Sequence, residues 1–119
     1  MIRGILTLAL ATVVAVAVST GPVAAKDSGG LKGEVYPNFK IEMKLGGKDL
    51  KTLKAGTYTM KVEDKAKIHN FHLMGPGVNK ATSVAGVGET TWTVKFKKGR
   101  YTYVCDPHAS TMKGSFTVK

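Results

Sequence analysis

The chain of 119 residues has a single cysteine, Cys105. An intramolecular disulfide is therefore excluded, as is any centre built on two thiolates from this chain. Acidic residues number eight against 18 lysines and arginines, for a formal net charge of +10. The two arginines, Arg3 and Arg100, form no basic stripe, and no aromatic platform accompanies the lysines. Nucleic acid is thus not the expected partner of this basic surface. From residue 26 onward no stretch keeps a 3.6-residue apolar period, so no amphipathic helix is expected. Internal repeats and low-complexity tracts are also missing from that part.

The first 25 residues are a different kind of sequence. Met1-Ile2-Arg3 is followed by an uncharged apolar run from Gly4 to Val18 and by Ser19-Thr20-Gly21-Pro22-Val23-Ala24-Ala25. A cationic start, a short apolar core, a breaker and a small-residue end read as a secretory signal peptide cut after Ala25. Gly4 to Gly21 is 18 residues, short of the roughly 20 that span a bilayer. No cysteine stands near the cut, so no lipid anchor is indicated. The expected product is exported, to a periplasm, a lumen or the cell exterior, with no stable membrane insertion. Residues 26–33 (Lys-Asp-Ser-Gly-Gly-Leu-Lys-Gly) read as a flexible leader and residues 34–119 as one domain with one core. With the signal removed the formal charge is about +9, spread singly along the chain. Such a surface attracts acidic partners at long range.

The domain reads as short strands between glycine-containing turns. Phe39, Ile41, Met43 and Leu45 alternate on one face, and Gly46-Gly47-Lys48-Asp49 turns the chain. Lys54-Ala55-Gly56 launches Thr57 to Val62, with Tyr58, Met60 and Val62 inward. Residues 68–74 are an apolar run holding two histidines, and Gly75 to Asn79 is a loop. Trp92, Val94 and Phe96 share a face, as do Tyr101, Tyr103 and Cys105 after the turn at Lys97 to Arg100. Asp106 to Lys113 is a loop, and Phe116 and Val118 close the chain inward. Several alternating strands in one small domain predict an all-β, two-sheet antiparallel Greek-key β-sandwich. Met43 and Met60 fall on the core faces, and Tyr58, Trp92, Tyr101 and Tyr103 read as core.

The sharpest signal is Cys105-Asp106-Pro107-His108-Ala109-Ser110-Thr111-Met112. A strand ends in cysteine, histidine follows three residues on, and methionine four beyond that. Thiolate, imidazole and thioether then share one loop. A free thiol in an oxidising compartment could be an inert core residue, an interchain disulfide partner, a nucleophile or a metal ligand. A nucleophilic Cys–His pair needs an orienting third residue and an oxyanion site, and nothing marks either. Copper cycling between its cuprous and cupric states suits a thiolate, nitrogen donors and a weak axial ligand. The second nitrogen must come from His69 or His72. On a regular strand these face opposite sides, so both are not expected to bind one ion.

With these motifs in order, residues 54–119 resemble the cupredoxin family, of the plastocyanin, pseudoazurin and amicyanin kind. Three segments carry the resemblance. Gly56-Thr57-Tyr58 leads to His69-Asn70-Phe71, Gly99 to Val104 leads to Cys105-Asp106-Pro107-His108, and Met112 leads to Lys113-Gly114-Ser115-Phe116. The resemblance implies one copper ion held by His69, Cys105 and His108, with Met112 as a long axial contact. It implies that Asn70 ties the two ligand loops together and donates its amide to the Cys105 sulfur. Pro107, lacking an N–H, withholds a second such donor. It implies a monomeric one-electron carrier, not an enzyme, with His108 towards solvent as the electron port. Gly75 to Asn79, Pro107 and Ala109 would form an apolar docking patch. Three residues separate His108 from Met112, whereas plastocyanins and pseudoazurins usually have four and amicyanins two. A copper chaperone or scavenger, a metal-free binding module and a zinc site are the competing readings. A binuclear copper centre would need a second cysteine, and a multicopper oxidase more histidines.

Overall fold

Gly46 and Gly47 have φ of +58° and +81°. They close a two-residue hairpin between Lys40–Leu45 (β2) and Lys48–Asp49 (β3). Both central positions of such a turn need the left-handed region, which glycine enters without steric penalty. The computed structural model describes Ala15 and residues 26–119. The expected signal peptide therefore lies outside the described residues, Ala15 apart.

The other strands are Lys26–Tyr36 (β1), Thr52–Leu53 (β4), Gly56–Asp64 (β5), His72–Gly75 (β6), Val78–Ala81 (β7), Gly88–Phe96 (β8), Gly99–Val104 (β9) and Lys113–Val118 (β10). One sheet has the order β3-β2-β1-β5-β8 and the other β4-β10-β9-β6-β7. The described residues form a two-sheet β-sandwich with one 3-10 turn, Asp106–His108. Strands adjacent in space but distant in sequence, β5 with β8 and β6 with β9, are joined by chain that passes between the sheets.

Two expectations are corrected. The sheets are mixed, not purely antiparallel, because β1 pairs parallel with β5 and β4 parallel with β10. Strand alternation reports which face is buried, and carries no information about the direction of the neighbour. The leader expected over 26–33 belongs to β1, so the boundary at residue 34 falls inside a strand. Leu31 pairs with Leu45 and is 1% exposed. Its glycine-rich, polar sequence hid the strand. Gly33 shows why a small residue stands there: a Cβ at this position would fall 2.5 Å from Phe71 Cζ.

The alternating residues build the core as read. Met43, Met60, Val62, Val94, Phe96, Tyr101, Phe116 and Val118 are buried between the sheets. Trp92 and Tyr58 pack against this core while partly exposed, and the Tyr58 hydroxyl donates to Lys54 O at 2.6 Å. Tyr101 stacks on Phe116 at 5.4 Å and Phe71 on Tyr103 at 5.8 Å. Each buried ring removes a large apolar area from water, and truncation of one to alanine costs about 3–5 kcal/mol. The apolar run 68–74 is not one strand: only His72 to Gly75 pairs, and residues 65–71 form the passage between the sheets. Three connections meet at one end of the sandwich: Pro37–Phe39 after β1, residues 65–71 after β5, and residues 105–112 after β9.

Candidate metal centre

Cys105 follows the last residue of β9 and is fully buried. The chain then turns through Asp106–His108, with Pro107 in the first positions of the 3-10 turn. There its fixed φ suits the turn and its missing N–H has no helical partner to lose. The loop is tied by its own backbone. His108 N–H donates to Cys105 O at 3.0 Å and Met112 N–H to His108 O at 2.8 Å, while Cys105 N–H donates to Met112 O at 3.0 Å. Cysteine, histidine and methionine are thus held in register before any side chain is considered.

His69 comes from the other sheet's exit. Asp64 ends β5, and its Oδ1 accepts the Ala66 N–H at 3.0 Å. His69 N–H donates to Ala66 O at 3.4 Å. These two bonds fold the connection back so that the His69 ring is fully buried. Burial raises the Asp64 carboxyl above the usual carboxylate range, partly offset by the Ala66 N–H and by His69.

The donors converge. His69 Nδ1 lies 3.1 Å from His108 Nδ1, and Cys105 Sγ lies 3.6 Å from each. Hydrogen bonds among them cannot use all three lone-pair directions at once, since each proton serves one pair. A point equidistant from the three atoms lies about 2.0 Å from each, close to metal–imidazole bonds of about 2.0–2.1 Å and metal–thiolate bonds of about 2.3 Å. The far nitrogen, His69 Nε2, is buried without a protein partner, so the ring's one polar contact on this side is through Nδ1. Two imidazoles and a thiolate in a triangle, with a buried thioether (Met112, 1% exposed) on the same loop, fit copper by softness and number.

His69, Cys105 and His108 are brought together. His72 is not: its Nδ1 meets Asp106 Oδ1 at 2.8 Å and its Nε2 meets Asn79 Oδ1 at 2.6 Å. Asn70 is 2% exposed and does tie the loops, bonding Asp106 through both ends of its amide. Pro107 and Ala109 are exposed, and His108 is partly so. The Pro76–Gly77 turn, expected in a docking patch beside His108, lies instead against Lys97 and Gly99, at the opposite end of β9 from Cys105. The His72 imidazole is pushed above its usual pKa by the Asp106 carboxylate, and Asp106 is held below its own by His72.

One residue was misplaced by pattern reading. Alternation with Ile41, Met43 and Leu45 puts Phe39 on a core-facing strand, but the strand starts at Lys40 and Phe39 is 53% exposed. Its ring stands edge-to-face to both imidazoles, with centroids 4.9 Å from His69 and 4.9 Å from His108. The signal that could have found it is the short Pro37-Asn38-Phe39 interval, which fits a hairpin loop as well as the start of a strand.

A two-sheet sandwich with a His/Cys/His triangle at one end defines the cupredoxin class. The model of copper-binding proteins of the plastocyanin/azurin family matches residues 41–119, and the chain belongs to that family. Among solved structures it is similar to rusticyanin from Thiobacillus ferrooxidans, at 26% identity over 76% of each chain with a TM-score of 0.52. A reduced rusticyanin matches at 24% identity, over 76% of this chain and 78% of that one, with a TM-score of 0.53. No curated protein gives a significant sequence match.

Proposed function

We propose that this protein is a type 1 (blue) copper protein that works as a soluble one-electron carrier outside the cytoplasm. The observation that carries the reading is the donor triangle. Two imidazole nitrogens and one thiol sulfur, from two different loops, stand 3.1–3.6 Å apart. Bound copper would supply a one-electron couple between its cuprous and cupric states. The chain's part is to hold those donors still. The Cys105–Met112 backbone bonds and the Asn70–Asp106 pair fix both loops, so little rearrangement accompanies electron exchange. Met112, buried on the loop that carries Cys105 and His108, would supply a weak thioether donor. Cys105 and His69 are shut off from solvent, while His108 is partly exposed and would be the port for electron exchange. The proposed role is thus carriage of an electron rather than catalysis.

The exposed apolar surface beside His108 includes Pro107 and Ala109. Exposed lysines flank the three connections that meet at the site: Lys40 after Phe39, Lys67 before His69 and Lys113 after Met112. This rim suits an acidic redox partner, and the rate of exchange with it should fall as salt rises. The amino-terminal segment, read as an export signal, supports a periplasmic or lumenal place of work. Deep burial of Cys105 and His69 weighs against an exposed, exchangeable site of the copper-handling kind.

The test is the visible spectrum of purified residues 26–119 after cupric ion is added and the excess removed. An intense blue band that bleaches on reduction and is lost in Cys105→Ala is the expected result. Colourless protein with weak or no copper would overturn carriage and leave copper handling or a metal-free module.

A further inference from the structure

Among the described residues Phe39 is the one non-glycine with positive φ, at +62°. It sits where glycine is the usual choice. Tyr36 pairs with Lys40 across the β1–β2 hairpin, so the loop is Pro37-Asn38-Phe39. In three-residue loops of this kind the third position takes the left-handed conformation, and a bulky side chain there is strained. The ring is also 53% exposed, so burial does not offset the strain. Backbone strain of this sort persists where the surroundings impose it, most often at functional sites.

The ring contacts identify what imposes it. Phe39 is T-shaped to His69 at 71° and to His108 at 86°, and the two imidazoles are T-shaped to each other at 4.8 Å. The three rings close a near-equilateral set in which each meets the other two edge-to-face, the favoured arrangement for aromatic pairs. Phe39 comes from a third connection, β1–β2, that contributes no donor atom. A residue there links the buried imidazole to the partly exposed one and covers them with an apolar surface.

We infer that Phe39 is a positioning residue that clamps the His69 and His108 rings together and slows the escape of copper from between them. The inference rests on the copper reading above. Left-handed φ at residue 39 aims the ring across the mouth of the donor triangle's two imidazoles, and a glycine in its place would relax the turn but leave both rings unsupported. Strain and function therefore pull in opposite directions at this residue, which makes them separable.

The experiment uses the copper-loaded protein and measures copper loss to excess EDTA by decay of the visible band. Phe39→Gly and Phe39→Asn keep a residue that accepts the left-handed conformation and remove the ring; Phe39→Tyr keeps the ring. Both ring-less variants should lose copper about tenfold faster, from the loss of two edge-to-face contacts, with a shifted absorption band. Their metal-free forms should be no less stable to urea than the wild type, and Phe39→Tyr should release copper at the wild-type rate. Wild-type release rates and spectra in both ring-less variants would overturn the clamp while leaving the copper centre intact. A wild-type protein that takes up no copper would instead overturn the centre. The ring contact is then read in the metal-free protein by NMR, where unmoved imidazole carbon-bound proton shifts in Phe39→Gly would overturn it as well.

Discussion

Asn70 and Asp106, 36 residues apart in sequence, are joined by two hydrogen bonds. Asn70 Oδ1 accepts the Asp106 backbone N–H at 2.8 Å, and Asn70 Nδ2 donates to Asp106 Oδ2 at 2.7 Å. The same Nδ2 reaches Thr82 O at 3.3 Å, and the Thr82 hydroxyl accepts the Phe71 N–H at 2.9 Å. One buried amide side chain thus fastens the loop carrying His69 to the loop carrying Cys105, each ligand lying one residue from the fastening.

Replacing Asn70 with alanine removes both bonds to Asp106 and the longer one to Thr82 O. The expected loss is about 1.5–3 kcal/mol of stability in the metal-free protein, the range for a hydrogen bond to a charged group such as the Asp106 carboxylate. Copper affinity should fall about 10- to 100-fold, as it does when a group orienting metal ligands is removed. Urea titration and competition with a chelator check the two effects. Unchanged copper affinity in a destabilised variant would confine Asn70 to folding.

The His72–Asp106 pair predicts a pH dependence. His72 faces two acceptors, so the imidazolium, which donates from both nitrogens, is the form the fold favours. Its folded pKa is raised by Asp106 first and Asn79 next, against burial. A raised pKa means that the contribution to stability is complete below the unfolded value of about 6.5 and is lost as pH rises through the folded value. Wild type should therefore exceed His72→Gln in stability most near pH 5 and less at pH 8 and above. The gap should stay within about 1 kcal/mol, because Asp106 is half exposed and solvent screens the pair. Urea denaturation of both metal-free proteins across that range decides it, and a gap that widens with pH has the wrong sign for this account.

Packing, which the burial of Met112 shows, is separable from the axial contact proposed for it. Met112→Ala should cost about 2–5 kcal/mol in the metal-free protein, because a side chain 1% exposed leaves a cavity. Met112→Leu conserves volume and should cost under about 1.5 kcal/mol. Both variants should keep the thiolate-derived blue band, since Cys105, His69 and His108 remain. The reduction potential should move in Met112→Leu, where the weak sulfur donor is lost without a cavity. An unmoved potential would reduce Met112 to a core residue.

Much of this protein is legible without coordinates. Alternation alone placed Met43, Met60, Val62, Val94, Phe96, Tyr101, Phe116 and Val118 in the core, because a strand's side chains have a fixed period of two. Cys105, His108 and Met112 stand within eight residues, and a short loop after a strand end keeps them close whatever the rest of the chain does. The cupredoxin resemblance, carried in part by His69-Asn70-Phe71, implied Asn70 as the tie between loops.

Other features depend on contacts between distant segments, which no local pattern encodes. The residues alone left His69 and His72 open and the resemblance pointed to His69; the physical reason lies in the turn at Asp64–Ala66 and in Asp106 across the fold, since one ring is folded inward and the other captured by a carboxylate. The parallel pairing of β1 with β5 depends on how the chain crosses between sheets. The strand at Leu31 depends on Phe71 finding the space left by Gly33. Phe39 is the clearest case. Its alternation with Ile41, Met43 and Leu45 says core, yet a three-residue turn rotates it out of the strand and over two imidazoles 30 and 69 residues further on. The order of residues determined which atoms could bind a metal; only the packing of the two sheets determined which of them meet, because that is settled by long-range geometry rather than by period or propensity.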